Sequence, residues 1–401
     1  MIYYIVMIVF SPFTAIIPAV FAVNLLIRGK VKIERNYWNI GLCSLFIYSM
    51  VSGIVNKSFL SFIASLGLLL YFALCVFAQN YFVKVSRINT VLKTMVYLSA
   101  IAAIGGIVEK IAFILVGMPE HRIFSSFGNP NMTGAWFGNI ILIIFYLKGT
   151  KKDKSEYDTY NIIIVLIVIA LMLTESSGAF IALIGGIFVY YLMKEKKDFK
   201  GLIAIFITVG ILAILFMTVQ NKVAKTTPIG EIVTSFNSRI GIWKGATQMF
   251  LTKPILGWGL LGTFEHGSNF IFKDDPTLQN KIISFLIHPH NLWLTFLVGV
   301  GIVGLGIYLY IKFNLYKDMI KLYKQHNKLL PLIASINAMV IIQGIVDCTL
   351  YAPQLGIIFV CVGAITYNMA NDKMIKKARF TKNKKLKNRN KNIAILKDKL
   401  G

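Results

Sequence analysis

The stretch FLSFIASLGLLLYFALCVFAQNYF at residues 59–82 decides the fold class, because none of its side chains carries a charge. A helix rises 1.5 Å per residue, so this run would be about 36 Å long and could cross the hydrocarbon core of a bilayer. Similar apolar runs recur along the chain. We therefore predict an all-α integral membrane protein with about eleven transmembrane helices. The predicted spans are 2–27, 39–55, 59–82, 91–117, 132–147, 161–175, 179–193, 201–219, 290–311, 329–349 and 353–371.

The first apolar run, 2–27, has two interpretations. Pro12 and Pro18 could split it into a short hairpin, which would give twelve elements with both chain ends on one side. Each half would be too short to cross the bilayer completely, so a single span with residue 1 outside is the preferred prediction. The run has no basic segment before it and no small-residue cleavage site. It is therefore predicted to be a retained span and not a signal peptide.

The composition excludes several classes of protein. Of the 401 residues, 56% are hydrophobic and only 15% are charged, with a mean hydropathy of +0.69. A soluble domain is about half apolar and a quarter charged, so this excess could not be buried in one globular core. A soluble enzyme and a disordered chain are thus excluded. The four cysteines lie inside apolar runs without metal-binding spacing, which also excludes a secreted disulfide scaffold.

The net charge of +25, from 42 Lys and Arg against 17 Asp and Glu, would suggest nucleic acid in a soluble protein. Here the basic residues fall in alternate loops and in the tail, as the positive-inside rule requires of cytoplasmic segments. We therefore expect anionic lipid headgroups, and no nucleic acid, as the partner of this charge. The basic segments are 28–35, 84–93, 148–154, 194–200, 312–328 and the tail 373–399.

One long loop stands out on the opposite, outer side, where the other connections are short. This loop, 220–289, is about seventy residues long, and loops of such length are usually functional. The predicted organisation is N-terminal helices at 1–117, central helices at 118–219, the outer loop, C-terminal helices at 290–371 and a basic cytoplasmic tail at 372–401.

Within the outer loop, residues 236–250 carry apolar side chains at three- and four-residue steps, which predicts an amphipathic helix. Arg239 and Trp243 are four residues apart and share one face of that helix. The helix could simply lie on the membrane surface, with Arg239 and Lys244 at lipid headgroups. Alternatively, Arg239 could bind a phosphate, because a guanidinium group holds such oxygens through two parallel hydrogen bonds.

The segment His288-Pro-His290-Asn291 contains two of only five histidines and precedes a predicted span. Pro289 and Asn291 suit the start of a helix. The positive end of the helix dipole would keep the His290 ring neutral and able to accept a proton, which suits a general base. The alternative is a pair of interfacial histidines without chemistry. A structural zinc site is disfavoured, because the other outer histidines are distant in sequence.

Three further outer segments contain candidate residues. Arg122 is a basic side chain on the outer side, against the overall charge bias, in a segment that ends in the turn residues Gly-Asn-Pro-Asn at 128–131. The segment 174–178 is a very short turn with one acid. Asp347 lies near the outer end of an apolar run, where an acid is usually functional or paired.

Together these segments resemble the O-antigen ligase and polymerase family of bacterial membrane glycosyltransferases. Each motif alone is weak, but their order on one polytopic chain with a large late outer loop is fairly specific. The motifs are RIFSSFGNPN at 122–131, Thr-x-Ser-x-Gly at 174–178, SRIGIW at 238–243, PILGWG at 254–259 and HPHN at 288–291, followed by GVGIVG at 299–304.

The resemblance implies a site on the outer face of the bacterial cytoplasmic membrane. There a glycan on undecaprenyl pyrophosphate would be transferred to an acceptor sugar hydroxyl, without nucleotide sugar, metal or cofactor. It implies Arg239 as the pyrophosphate ligand, His290 as the base and Arg122 as a second phosphate contact. The remaining substrate-binding candidates are His288, Asn291, Trp243, Lys244 and Asp347.

One position departs from the family pattern. The family often has Arg after Ser in the 174–178 turn, whereas this chain has Ser177, so Lys244 or Lys253 could supply the missing cation.

Four functions remain open. A polysaccharide polymerase is preferred, a ligase would use the same donor chemistry, and an exporter of lipid-linked oligosaccharide is disfavoured by the scarcity of charges within the spans. The fourth is a membrane scaffold, against which the order of the Arg239 and HPHN motifs argues only modestly.

Overall fold

The chain folds as a bundle of helices. The computed structural model describes residues 2–150, 154–194, 203, 210, 228–271 and 286–371, and these residues include no β-strand. The helices are α1 Ile2–Phe10, α2 Ile16–Ile27, α3 Tyr37–Val55, α4 Phe59–Tyr81, α5 Val85–Leu115, α6 Pro130–Thr150, α7 Lys154–Leu173, α8 Ser177–Met193, α9 Pro228–Thr252, α10 Gly262–His266, α11 Ser268–Ile271, α12 Leu292–Lys324, α13 Leu330–Gln343 and α14 Pro353–Ala370. The predicted all-α fold is confirmed.

Seven of these helices are long and apolar enough to cross a membrane, namely α3, α4, α5, α6, α7, α12 and α14. Three shorter apolar helices, α2, α8 and α13, also coincide with predicted spans. The predicted span 201–219 lies outside the described residues apart from 203 and 210, and the basic tail 372–401 lies outside them entirely. Several helix starts follow from local sequence, because Asn36, Ser58 and Ser176 each accept a hydrogen bond from an amide of the first turn.

The segment 2–27 forms a hairpin, so the preferred prediction of a single span is wrong. The rings of Tyr4 and Phe21 stack with their centroids 4.9 Å apart, whereas a continuous helix would separate these residues by about 25 Å. The break lies at residues 11–15, where Pro12 offers no amide hydrogen to the helical ladder. Residues 2 and 28 therefore lie at the same end of the bundle.

The loops sort into two ends as the alternation of spans predicts. At one end, the basic segment 28–35 meets the end of α4, where the Lys32 amide donates to the Asn80 side chain. At the other end, Arg122 donates to the Thr174 carbonyl and Asn291 donates to the Ile345 carbonyl. We call this second end the site end, since it carries the candidate residues. That the site end faces out of the cytoplasm stays a prediction from the positive-inside rule.

The loop 253–261 is held at the site end by a break in α12. Gly301 has φ 63° inside this helix, and the freed backbone groups pair with the loop. Ile302 donates to the Pro254 carbonyl at 2.9 Å, and Trp258 donates to the Val298 carbonyl at 2.7 Å. From the other side, Ser52 of α3 donates to the Leu256 carbonyl. The loop follows directly after α9, so this anchoring sets where α9 enters the site.

We expect Gly301→Ala to lower the free energy of unfolding by about 3 kcal/mol. The left-handed backbone at this position disfavours any side chain, and an added methyl group would come within 2.0 Å of the Ile255 carbonyl oxygen. Thermal unfolding of the detergent-solubilised protein measures the loss. Gly306→Ala is the matched control on the same helix, because an added methyl group there meets no atom within 4 Å. Equal melting temperatures for the two variants would contradict this account of the break.

Candidate functional site

The centre of the site is a contact between two loops. His290 precedes α12, and Asp347 lies between α13 and a short 3₁₀ turn at Thr349–Tyr351. The Nδ1 atom of His290 is 3.3 Å from Oδ1 of Asp347, and the Asp347 side chain is only 3% exposed. An ionised carboxylate only accepts hydrogen bonds, so His290 donates through Nδ1. In the neutral ring, Nε2 of His290 is then the nitrogen that can accept a proton.

His288 supports this pair but is more deeply buried. Its Nδ1 accepts a hydrogen bond from the His290 amide at 3.1 Å, so its ring proton is on Nε2, 3.6 Å from Oδ1 of Asp347. The His288 side chain is 9% exposed, whereas that of His290 is 32% exposed. Of the two histidines, His290 is therefore the one that can meet a substrate.

Burial and hydrogen bonding shift the pKa values of this cluster. Burial lowers the pKa of His288 to about 4 against the favourable charge of Asp347, so the ring is neutral at pH 7. Burial alone would raise the pKa of Asp347. The hydrogen bond from His290, the charges of both histidines when protonated, and the Cys348 amide outweigh burial and lower that pKa to about 2. Asp347 is therefore an anion throughout the physiological range.

The backbone around His290 is fixed from several directions. His290 has φ 48°, a left-handed conformation that is uncommon for residues other than glycine. The Asn291 side chain accepts from the Leu294 amide and caps α12, as predicted, and it also donates to the Ile345 carbonyl. The indole of Trp243 donates to the His290 carbonyl at 3.4 Å. The candidates Asn291 and Trp243 thus hold the loop that carries His290.

Arg122 reaches the cluster through Asn131. Its Nη2 atom donates to Oδ1 of Asn131 at 3.0 Å, and Nδ2 of Asn131 donates to Oδ2 of Asp347 at 3.0 Å. The Nε atom of Arg122 also donates to the Thr174 carbonyl at 2.9 Å, which brings the 174–178 turn to the same site. The segments 122–131 and 288–290 therefore both contact Asp347, and the 174–178 turn is joined to them through Arg122.

Arg239 lies on α9 near this cluster. Burial lowers the pKa of its guanidinium group, and the charge of Asp347 opposes that effect. Trp243 follows one turn later, and its ring packs edge-to-face with that of Phe236 at 5.7 Å. The predicted helix at 236–250 is thus part of the longer α9, and its amphipathic character stays a prediction. The neighbouring Lys244 is exposed.

The structure identifies which cations lie beside the turn that contains Ser177. Lys253 does not, because its Nζ atom donates to Asn56 at 2.6 Å and lies 3.7 Å from the centre of the Trp258 ring. Arg122 contacts the turn at Thr174. Lys110, which is 8% exposed, has its Nζ atom 3.4 Å from the Glu175 carboxylate.

Two features of the site were missed by sequence reasoning. Asn131 was quoted only as part of a turn, and Asp347 was proposed to bind substrate and not to pair with His290. The Asn-Pro-Asn motif was the available signal for Asn131. The pairing of Asp347 has no local signal, because its two partners lie 57 and 216 residues away.

His288, His290 and Asp347 could also be metal ligands, since one ligand atom from each lies within 4.8 Å of the others. In the structure their polar atoms hydrogen bond to one another and to the backbone instead. A reaction without metal stays a prediction.

Comparison with known proteins supports the family suggested by the motifs. Residues 162–309 match the sequence profile of the O-antigen ligase family. This range contains Arg239, Trp243, His288, His290 and Asn291, whereas Arg122, Asn131 and Asp347 lie outside it. The resemblance to the O-antigen ligase and polymerase family is therefore confirmed.

Curated relatives from two Rickettsia species carry the provisional name polysaccharide ligase. The Rickettsia typhi protein is 26% identical over 45% of this chain and 43% of its own length. The Rickettsia conorii protein is 25% identical over 50% of this chain and 48% of its own length. The chain thus spans less than half of the length of these relatives.

We expect His288→Gln to reduce the loss of stability on acidification between pH 7.5 and 4.5. In the unfolded chain His288 takes up a proton near pH 6.5, but in the folded protein only near pH 4. Unfolding therefore becomes more favourable as the pH falls through this window, by up to about 3 kcal/mol. Asp347 acts in the same direction only at lower pH, between about 4 and 2. Parallel curves of melting temperature against pH for the two proteins would contradict this assignment.

Proposed function

We propose that this chain, as a relative of the O-antigen ligases, is a membrane glycosyltransferase of the polysaccharide ligase type. It transfers a glycan from a lipid-pyrophosphate donor to an acceptor hydroxyl. The observation that carries this proposal is the His290–Asp347 pair, partly open to solvent at the site end, with Arg239 beside it. A base and a cation are the two groups that such a transfer needs.

In the proposed reaction, Nε2 of His290 takes the proton from the acceptor hydroxyl as its oxygen attacks the anomeric carbon of the donor glycan. The bond between that carbon and the pyrophosphate oxygen breaks, and its electron pair leaves with the lipid pyrophosphate. The anion of Asp347 stabilises the imidazolium that forms and holds Nε2 toward the acceptor. The new glycosidic bond joins donor glycan and acceptor.

Arg239 is the proposed group that stabilises the negative charge developing on the leaving pyrophosphate. A guanidinium group in a partly buried position stabilises such charge more strongly than it would in water. Trp243 lies one turn from Arg239 on α9, and its indole donates to the His290 carbonyl. This contact links the helix that carries the cation to the loop that carries the base. Arg122 is the proposed second phosphate contact, and it reaches the same site through Asn131.

We favour ligation over polymerisation, although a polymerase was the preferred prediction from the sequence. Both reactions use the same donor chemistry, so the site geometry serves either of them. The named relatives carry the provisional name polysaccharide ligase, and this name favours transfer of a finished glycan to a separate acceptor. We place the reaction on the outer side of the bacterial cytoplasmic membrane, because the basic loops lie at the other end of the bundle.

We expect His290→Ala and Arg239→Ala each to lower the rate of glycan transfer by about 100- to 1,000-fold, without loss of membrane insertion. The first variant lacks the base, and the second lacks the cation for the leaving group. The assay follows release of lipid pyrophosphate from lipid-linked glycan that is extracted from the native host. His326→Ala and Arg28→Ala, at the opposite end of the bundle, are the matched controls.

Full transfer activity in either site variant, at normal protein levels in the membrane, would contradict the assignment of that residue. A parallel assay with a chelator tests the predicted independence from metal. Loss of wild-type activity on chelation, with recovery on adding a divalent ion, would instead favour His288, His290 and Asp347 as metal ligands.

A further inference from the structure

We propose that Asn131 is a positioning residue of this site, which holds the Asp347 carboxylate so that its Oδ1 atom faces His290. This inference rests on the proposed function, because it assigns a role in orienting the base. Asn131 lies in the first turn of α6, next to Pro130. It connects two charged side chains from distant segments, Arg122 and Asp347.

The orientation of the Asn131 amide is determined by its two partners. A guanidinium group can only donate hydrogen bonds, so Oδ1 of Asn131 must face Arg122. A carboxylate can only accept them, so Nδ2 must face Asp347. If the amide were rotated by 180°, both contacts would become repulsive. The opposite charges of Arg122 and Asp347 thus determine one orientation of the Asn131 amide.

Asp347 has separate partners for its two oxygens. Oδ1 accepts from the Cys348 amide at 2.8 Å and from His290 at 3.3 Å, with His288 at 3.6 Å. Oδ2 accepts from Asn131 at 3.0 Å. Because the side chain is almost fully buried, loss of the contact to Asn131 would leave Oδ2 without this donor. The carboxylate could then rotate and weaken its hold on His290.

The backbone of Asn131 is also fixed, since its carbonyl accepts from Nε2 of Gln343 on α13 at 3.2 Å. A purely structural role, in which Asn131 only joins α6 to α13, is therefore the competing explanation. The two roles make different predictions for Asn131→Asp. This substitution preserves the shape and the backbone contact but replaces the donor that faces Asp347 with a second carboxylate.

The experiment compares Asn131→Asp and Asn131→Ala with wild type in the lipid pyrophosphate release assay, on donor extracted from the native host. We expect both variants to lower kcat by about 10- to 100-fold with less than a threefold change in the KM for donor, because misplacing a catalytic group by about 1 Å has effects of this size. Asn139→Ala is the matched control. Asn139 is a buried asparagine two turns along the same helix and donates to the Ala135 carbonyl of its own helix.

The pH dependence of the rate separates positioning from structure. The wild-type curve of rate against pH is the reference. In Asn131→Asp, the new carboxylate would face Arg122 on one side and Asp347 on the other, and the two carboxylates would share one proton at low pH, because the second ionisation is disfavoured beside a like charge. We expect the rate of this variant to fall relative to wild type as the pH rises and that proton is lost. A merely structural defect would lower the whole curve without changing its shape.

Wild-type kcat in Asn131→Asp, or a lowered curve of unchanged shape in that variant, would overturn the inference, as would an equal loss of kcat in Asn139→Ala. His290→Ala in the same assay makes the two failures distinguishable. If His290→Ala is inactive while both Asn131 variants keep wild-type kcat, only the role of Asn131 fails. If His290→Ala keeps full activity, the proposed function of the site fails.

Discussion

The buried carboxylate of Asp347 is the constraint on which the site end depends. An ionised carboxylate in an apolar protein interior is costly unless hydrogen bonds replace its lost water. Asp347 obtains them from His290 ahead of α12, from the Cys348 amide and from Asn131 at the start of α6. Three loops that are distant in sequence therefore meet at this carboxylate. Its contact with His290 also orients the His290 ring.

The membrane environment explains why the rest of the bundle consists of regular apolar helices. Long apolar helices satisfy their own backbone groups, so irregular backbone is tolerated only where other parts of the protein supply partners. The break of α12 at Gly301 is such a place, because its freed amide and carbonyls pair with the loop 253–261. That loop sets the position of α9, which carries Arg239. Packing at the break and chemistry at the site are therefore linked through one short loop.

Local pattern was sufficient to predict the helices α3 to α8 and α12 to α14 and the cap at Asn291, because helix length and capping depend on neighbouring residues. The hairpin at 2–27 was not chosen, since its evidence is the contact of Tyr4 with Phe21, which sequence does not display. His290, Arg239 and Arg122 were identified as candidates, Arg239 and Arg122 with roles from the family resemblance. The pairing of Asp347 with His290 and Asn131 was not predicted, because it arises only from tertiary structure.

We propose that the chain delivers lipid-linked glycan to a separate acceptor. The most direct measurement is the state of lipid-linked glycan in native host cells that lack the chain, with and without complementation. Ligase activity predicts that glycan of many repeats accumulates on its lipid while the acceptor stays bare, and that the wild-type chain reverses both changes. A lipid-linked pool of single repeats, or an acceptor that carries its usual glycan, would contradict the account.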